Sequence, residues 1–260
     1  MARNREIENT LNAALKAGNK VWVIGDVHGH FEELQRLLEN LELGENDKVL
    51  FVGDLIDRGP GSAQVIELIR KDERLFSVKG NHERMMISAI SSLRDKSSVA
   101  HWLYNGGEQT MDSFEQTYDK QSMNQLKEVV EWMKALPTEI VLNQHRIVHA
   151  GYDPRRPIDE QDEGSLLWIR DVFLLHQGII DSDRQIVFGH TPTQKIRDGV
   201  AGQVKTSEQT LEDGRPSWIG IDTGICAKPE KGEVAVLTAY ELGTEQIIAQ
   251  TKQGDLDSIQ

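Results

Sequence analysis

The sequence predicts an α/β fold in which two β-sheets pack face to face with helices outside. Three observations predict it. Short apolar runs alternate with amphipathic segments over roughly the first 80 residues, the stretch from about 84 to 136 reads as mostly helical, and apolar runs return after Pro137. Strand, loop, helix, strand is a rhythm that implies neighbouring parallel strands. Helices grouped in the middle, with strands on both sides, suggest two sheets.

The elements follow in order. The first twenty residues form a short amphipathic helix with Ile7, Leu11, Ala14 and Leu15 on one side. VWVI at 21–24 is a strand that stops at Gly25. FEELQRLLENL at 31–41 places Phe31, Leu34, Leu37, Leu38 and Leu41 at helical spacing. VLFV at 49–52 is a second strand, SAQVIELIRK a helix with Val65, Leu68 and Ile69 inward, and LFSV at 75–78 a third strand. Beyond Pro137 the strands are EIVL, RIV, QIVF, WIGI and EVAVL, and the polar tail from about 250 is expected to fray.

Composition narrows the function. A chain of 260 residues fits one large domain or two small ones and can bury a sizeable core, and a single cysteine, Cys226, rules out an internal disulfide. That suits a reducing cytoplasm, and MARNREIENTLNAALKAGNK lacks the apolar run of a secretory leader. No stretch approaches a membrane span. The net charge of −13 disfavours nucleic acid and anionic membranes as partners. It also repels a phosphorylated substrate, so a phosphate site must supply local positive charge.

Six of the strand-like runs end in a polar cluster. VWVI leads into Gly25-Asp26-Val27-His28-Gly29, VLFV into Gly53-Asp54 with Asp57-Arg58-Gly59 beyond, and LFSV into Gly80-Asn81-His82-Glu83. RIV leads into His149-Ala150-Gly151, QIVF into Gly189-His190-Thr191, and WIGI into Asp222-Thr223-Gly224. Sites in open α/β sheets form beyond the carboxyl ends of strands, so these loops can converge. Asp, His and Asn are oxygen and nitrogen ligands for first-row divalent metals, and no cysteine takes part, which argues against structural zinc. Asp26 and His28, two apart at a strand end, can reach one ion. A carboxylate such as Asp54 can bridge two, and a metal pair can clamp the attacking and leaving oxygens of a phosphoryl displacement. Alone, Asp-x-His reads as surface polarity, Asn-His-Glu as a helix cap and Gly-His-Thr as a turn. Their repetition after strand upon strand is what the bland reading cannot supply.

GDVHG, GDLIDRGP, GNHE, HAG and GH, supported by HWLYNGG, LLWIRD and FGHTP, together resemble the phosphoprotein phosphatase family of metallophosphoesterases, in its bacterial and phage branch. The likeness runs from about 21 to 240. It implies the αββα sandwich of two mixed sheets flanked by helices for a catalytic domain over 21–249; the helical extension over 1–20 and the polar tail over 250–260 lie outside the likeness. It implies two divalent ions, manganese by habit of the bacterial members, with iron or zinc also suited to these ligands. Asp26 and His28 would bind the first ion, Asp54 would bridge both, and Asn81, His149 and His190 would complete the second. His82 would be the general acid, oriented by Asp57, with Arg58 and Arg170 on the phosphate oxygens.

The implied activity is a cytoplasmic serine/threonine protein phosphatase acting on a phosphorylated protein. Two cations lower the pKa of a bridging water, and the resulting hydroxide attacks phosphorus opposite the ester oxygen. A serine alkoxide is a poor leaving group, and an imidazole titrating near neutrality can protonate it. The arginines supply charge-assisted hydrogen bonds to equatorial oxygens. Alternatives are a symmetrical diadenosine tetraphosphate hydrolase, which shares most of these motifs, and an inactive scaffold on the same fold. A nuclease is disfavoured by the absence of a basic stripe. Relatives of the hydrolase type typically carry alanine at the position of Asp57 and aspartate at that of Glu83. His101, His145 and His176 read as surface or structural, and Trp102, Trp132 and Trp168 as packing. Asp222 reads as shaping its loop and Cys226 as an inert thiol near the site mouth.

Overall fold

The computed structural model describes residues 3–92, 94–227 and 234–252. Along the first half run α1 (Arg5–Lys16), β1 (Val21–Ile24), α2 (Phe31–Asn40), β2 (Lys48–Phe51), α3 (Ser62–Lys71), β3 (Leu75–Ser77) and α4 (Asn81–Ser91). A helical insert follows, with α5 (Lys96–Trp102), α6 (Glu108–Tyr118) and α7 (Ser122–Ala135). The second half holds β4 (Glu139–Val141), β5 (His145–Val148), α8 (Glu163–Trp168), α9 (Asp171–Leu174), β6 (Gln185–Phe188), β7 (Lys205–Thr206), β8 (Trp218–Gly220), β9 (Val236–Glu241) and β10 (Ile247–Thr251).

The strands form two five-stranded sheets, ordered β10-β9-β1-β2-β3 and β4-β5-β6-β8-β7. Each is mixed. β1, β2 and β3 are parallel, with β9 and β10 antiparallel beside β1. β5, β6 and β8 are parallel, with β4 and β7 antiparallel at the edges. The six runs that end in polar clusters are therefore the two parallel triplets, and their carboxyl ends carry every site candidate except Arg170.

Residue alternation explains the layers. In β1, Val21 and Val23 face the opposite sheet while Trp22 and Ile24 face the helices. Leu50, Val52 and Val78 meet Ile140, Ile147, Val187, Ile219 and Ile221 between the sheets. Val49 and Phe51 pack under α2, α3, α4 and α7. On the far face, Val148, Ile186 and Phe188 pack against Tyr152, Leu166, Phe173 and Trp218.

α1 closes one end of the inter-sheet core with Leu11 and Ala14. Glu8, buried in α1, accepts the Val141 N–H of edge strand β4 at 3.0 Å. Two strand expectations shift. Of EVAVL at 233–237, Glu233 lies outside the described residues, and the strand runs from Val236 to Glu241 because pairing with β1 extends there. The polar tail is not frayed at its start, because β10 pairs with β9 through Thr251; residues 253–260 lie outside the described residues. β7 and β10 were not expected. One has two residues, and the other is a half-exposed edge strand with no strong apolar signal.

Candidate active site

The loops after β1 and β2 interlock first. Asp54 O accepts the N–H groups of Val27 and His28 at 3.1 and 2.8 Å, and Leu55 O accepts that of Gly29 at 2.9 Å. Glu83, in the first turn of α4, fastens the third loop to them. Its Oε2 accepts from Gly80 N at 2.7 Å and Asp54 N at 2.9 Å, and Oε1 from Leu55 N at 2.8 Å. Gly80 is needed there, because a Cβ would lie 2.2 Å from Asp54 Oδ1. Gly189 has the same relation to Asp26 Oδ1, at 2.0 Å.

Backbone strain gathers here. Of nine non-glycine residues with positive φ among those described, His28, Asp54, Asp57, Arg58 and His190 belong to the predicted site. Such conformations persist only where the surroundings over-determine them.

Asp54 sits at the centre. His28, Asp54 and His82 bring ligand atoms within 4.8 Å of one another, and so do Asp54, His149 and His190. His28 Nδ1 lies 2.9 Å from Ile56 O, and His149 Nδ1 2.8 Å from Val52 O. A carbonyl oxygen only accepts, so each Nδ1 donates and each neutral ring turns its Nε2 lone pair inward. Those Nε2 atoms lie 3.6 and 3.4 Å from Asp54 oxygens. Asn81 Oδ1 is 2.8 Å from His149 Nε2 and 2.9 Å from His190 Nδ1. His190 Nε2 is buried without a hydrogen bond. The lone pairs of His149 Nε2 and Asn81 Oδ1, turned on one another in a buried place, are unfavourable for the chain alone, and they fit a divalent cation.

The ionisation of these groups agrees. Burial lowers the pKa of His28, His149 and His190, keeping their rings neutral. Burial opposes charge on Asp54, and only imidazoles that carry charge can pull its carboxyl below the usual range; with the other three rings neutral, His82 is the one placed to do so. Burial and the neighbouring Asp222 and Asp54 push Asp26 up. Burial likewise raises Asp222 to about 6 and Glu83 to about 7. Three buried carboxylates so placed are ones that added cations would relieve.

His82 and Asp57 form a dyad, Nδ1 to Oδ2, at 2.7 Å. Burial works against charge on His82, yet Asp54 and Asp57 raise its pKa. Arg58 Nη1 lies 2.8 Å from His28 Nε2, and Nη2 2.9 Å from His82 Nε2. Across the site, Arg170 donates to His190 O at 3.2 Å and Thr191 Oγ1 at 3.0 Å. A cleft of about 720 Å³ opens beside Arg58, lined also by His30, Phe31, Gln64, Cys226 and Lys252.

The ten predicted residues thus converge from six loops. Two details differ from expectation. His82 stands within ligand distance of the first cluster, whereas Asp26 accepts from the His190 N–H at 3.1 and 3.0 Å and falls outside both three-residue clusters.

The calcineurin-like phosphoesterase family matches residues 19–219, more than half of the sequence. The chain belongs to the calcineurin-like phosphoesterases. This phosphoesterase is 33% identical over 203 residues to serine/threonine-protein phosphatase 1 of Salmonella typhimurium, covering 76% of this chain and 89% of that one. It is 32% identical over 204 residues to a symmetrical bis(5′-nucleosyl)-tetraphosphatase of Coxiella burnetii, covering 76% of this chain and 63% of that one. Among solved structures, a candidate diadenosine tetraphosphatase superposes with a TM-score of 0.61 at 21% identity, covering 91% of this chain and 95% of that one, and shows the shared fold.

Sequence reasoning gave some residues of the phosphoesterase less than they do. Glu83 was read only as part of a motif. Trp102 is packed as expected, but its indole also donates to Asp57. Thr110 was not singled out, since a threonine in a helix carries no local signal. His145 is buried and structural, His101 is exposed, and Trp168 is half-exposed at the rim, 6.5 Å from His190. Burial pushes the Cys226 thiol to about 12, as befits an inert group.

Proposed function

We propose that this phosphoesterase is a serine/threonine protein phosphatase of the cytoplasm, using two divalent ions, manganese foremost, on a phosphorylated protein substrate. The observation that carries the reading is the buried His82–Asp57 dyad at 2.7 Å. A phosphate leaving group departs as a stabilised anion, whereas a serine alkoxide needs a proton.

Asp26, His28 and Asp54 would hold one ion, and Asp54, Asn81, His149 and His190 the other. The ions would supply positive charge and an activated water. His82, protonated with help from Asp57, gives its Nε2 proton to the departing oxygen and is left as neutral imidazole. Arg58 leaves His28 and His82 to bind phosphate oxygens, which exposes His82 Nε2 to the leaving group. Arg170 meets the phosphate from the other side. The cleft beside Arg58 gives a substrate room next to that arginine.

A dinucleotide tetraphosphate is the second reading, favoured by the Coxiella relative. Hydrolysis of a phosphoserine peptide and of diadenosine tetraphosphate should be compared for wild type and Asp57→Ala with manganese. Wild type should prefer the peptide in kcat/KM, and Asp57→Ala should lower kcat on the peptide far more than on the dinucleotide. A tenfold preference of wild type for the dinucleotide would overturn the reading.

A further inference from the structure

Asp57 is fully buried, and three side chains point donors at its carboxylate. His82 Nδ1 approaches Oδ2 at 2.7 Å. Trp102 Nε1 straddles the group, 3.0 Å from Oδ1 and 3.1 Å from Oδ2. Thr110 Oγ1 donates to Oδ1 at 2.6 Å. Trp102 ends α5 and Thr110 lies in the first turn of α6, so both belong to the helical insert and not to the strand-end loops. Thr110 Oγ1 also accepts the Asp57 N–H at 2.9 Å, so one hydroxyl grips backbone and carboxylate of the same residue.

The turn between α5 and α6 continues the grip. Gly106 O accepts the Arg58 N–H at 3.1 Å. Gly106 has φ 106, and a Cβ on it would meet Arg58 Cγ at 2.8 Å. Asp57 and Arg58 themselves have φ 72 and 70, a conformation that needs support from outside the loop.

We propose that Thr110 and Trp102 are positioning residues of the proton-donating dyad, fixing the plane of the Asp57 carboxylate so that Oδ2 aims at His82. This rests on the reading of His82 as the acid. A carboxylate held by one imidazole alone can turn about its Cβ–Cγ bond. With Thr110 on one oxygen and Trp102 across both, the rotation is blocked. His82 then keeps a hydrogen on Nδ1 and turns Nε2 toward the leaving oxygen. Neither Thr110 nor Trp102 makes contact with His82 through a hydrogen bond, so each acts through Asp57.

The test uses Thr110→Val, which keeps shape and removes the hydroxyl, and Thr110→Ser, which keeps the hydroxyl. Thr110→Val should lower kcat on a phosphoserine peptide about 10-fold with KM unchanged. The loss should be several-fold smaller on nitrophenyl phosphate, whose leaving group scarcely needs a proton. Thr110→Ser should restore most of the rate. On an Asp57→Ala background, Thr110→Val should cost nothing further, since the group it acts through is gone. A second measurement needs no substrate: the His82 Nδ1–H resonance of ¹⁵N-histidine-labelled protein. It should be protected and downfield in wild type and Thr110→Ser, and shifted or lost in Thr110→Val. Equal losses on both substrates, additivity with Asp57→Ala, or an unmoved resonance in Thr110→Val would each overturn the proposal. A wild type that ignores phosphopeptide while the resonance responds as stated sinks the substrate reading and leaves the positioning role standing.

Discussion

The loops after β1, β2 and β3 hold one another, the first two through backbone hydrogen bonds and the last two through Glu83, whereas the loops after β5 and β6 lean on the first sheet. In the first set, Glu83 joins two loops through three backbone N–H groups, and the helical insert clamps Asp57. In the second, His149 is oriented by Val52 O and the His190 backbone by the Asp26 carboxylate, both groups of the first sheet. Asp54 lies between the two sets. The difference teaches that the His82–Asp57 end of the site is built by a network among the first sheet's loops and the helical insert, and the His149–His190 end by hydrogen bonds reaching across from one sheet to the other.

The comparison breaks most completely at Asp54. Asp54→Asn should disable both clusters together, with turnover falling by at least about 10³-fold, roughly 4 kcal/mol. Elemental analysis should find both equivalents of manganese weakened. Loss of one equivalent alone would show that Asp54 serves only one half. His82→Asn comes next, with an expected loss of about 10²–10⁴-fold on phosphoserine peptide and a smaller one on nitrophenyl phosphate. Because His82 stands so near His28 and Asp54, manganese content sharpens its role: retention supports an acid, and depletion makes it a ligand of the first cluster.

Glu83→Gln tests the network side. Replacing one acceptor oxygen by an amide nitrogen leaves a buried N–H unmatched, which should cost about 1–3 kcal/mol of unfolding free energy, measured by urea denaturation. The smallest effect lies at the amino end of β5, away from the site. Burial and Arg215 lower His145 to about 3. A base with a depressed pKa stays neutral in the folded chain while the unfolded chain protonates. Stability should therefore fall as pH drops from about 6.5 toward 3, by up to ~1.4 kcal/mol per unit. Between pH 7 and 5.5, wild type should lose about 1.3 kcal/mol that His145→Gln does not lose. Parallel pH profiles for the two proteins would assign the acid limb to other groups.

The sequence by itself determined the layered fold and marked the ten candidate residues that the structure gathers, because both are written locally. Unbroken apolar runs in β1 and β2 specify strands buried on both faces, and glycine-flanked Asp, His and Asn mark their carboxyl ends whatever the sheet order. Family membership followed from the same motifs. Only the tertiary structure decided how those ends meet. Nothing near Asp26 announces that its carboxylate supports the His190 backbone 164 positions away, and nothing in α6 marks Thr110 as a partner of Asp57, 53 positions before it. β7 and β10 escaped for a related reason: short or half-exposed edge strands owe their form to the neighbour they pair with. Hydrophobic periodicity reports which face is buried. It does not report what lies across from that face, and the orientation of a buried carboxylate depends on those neighbours.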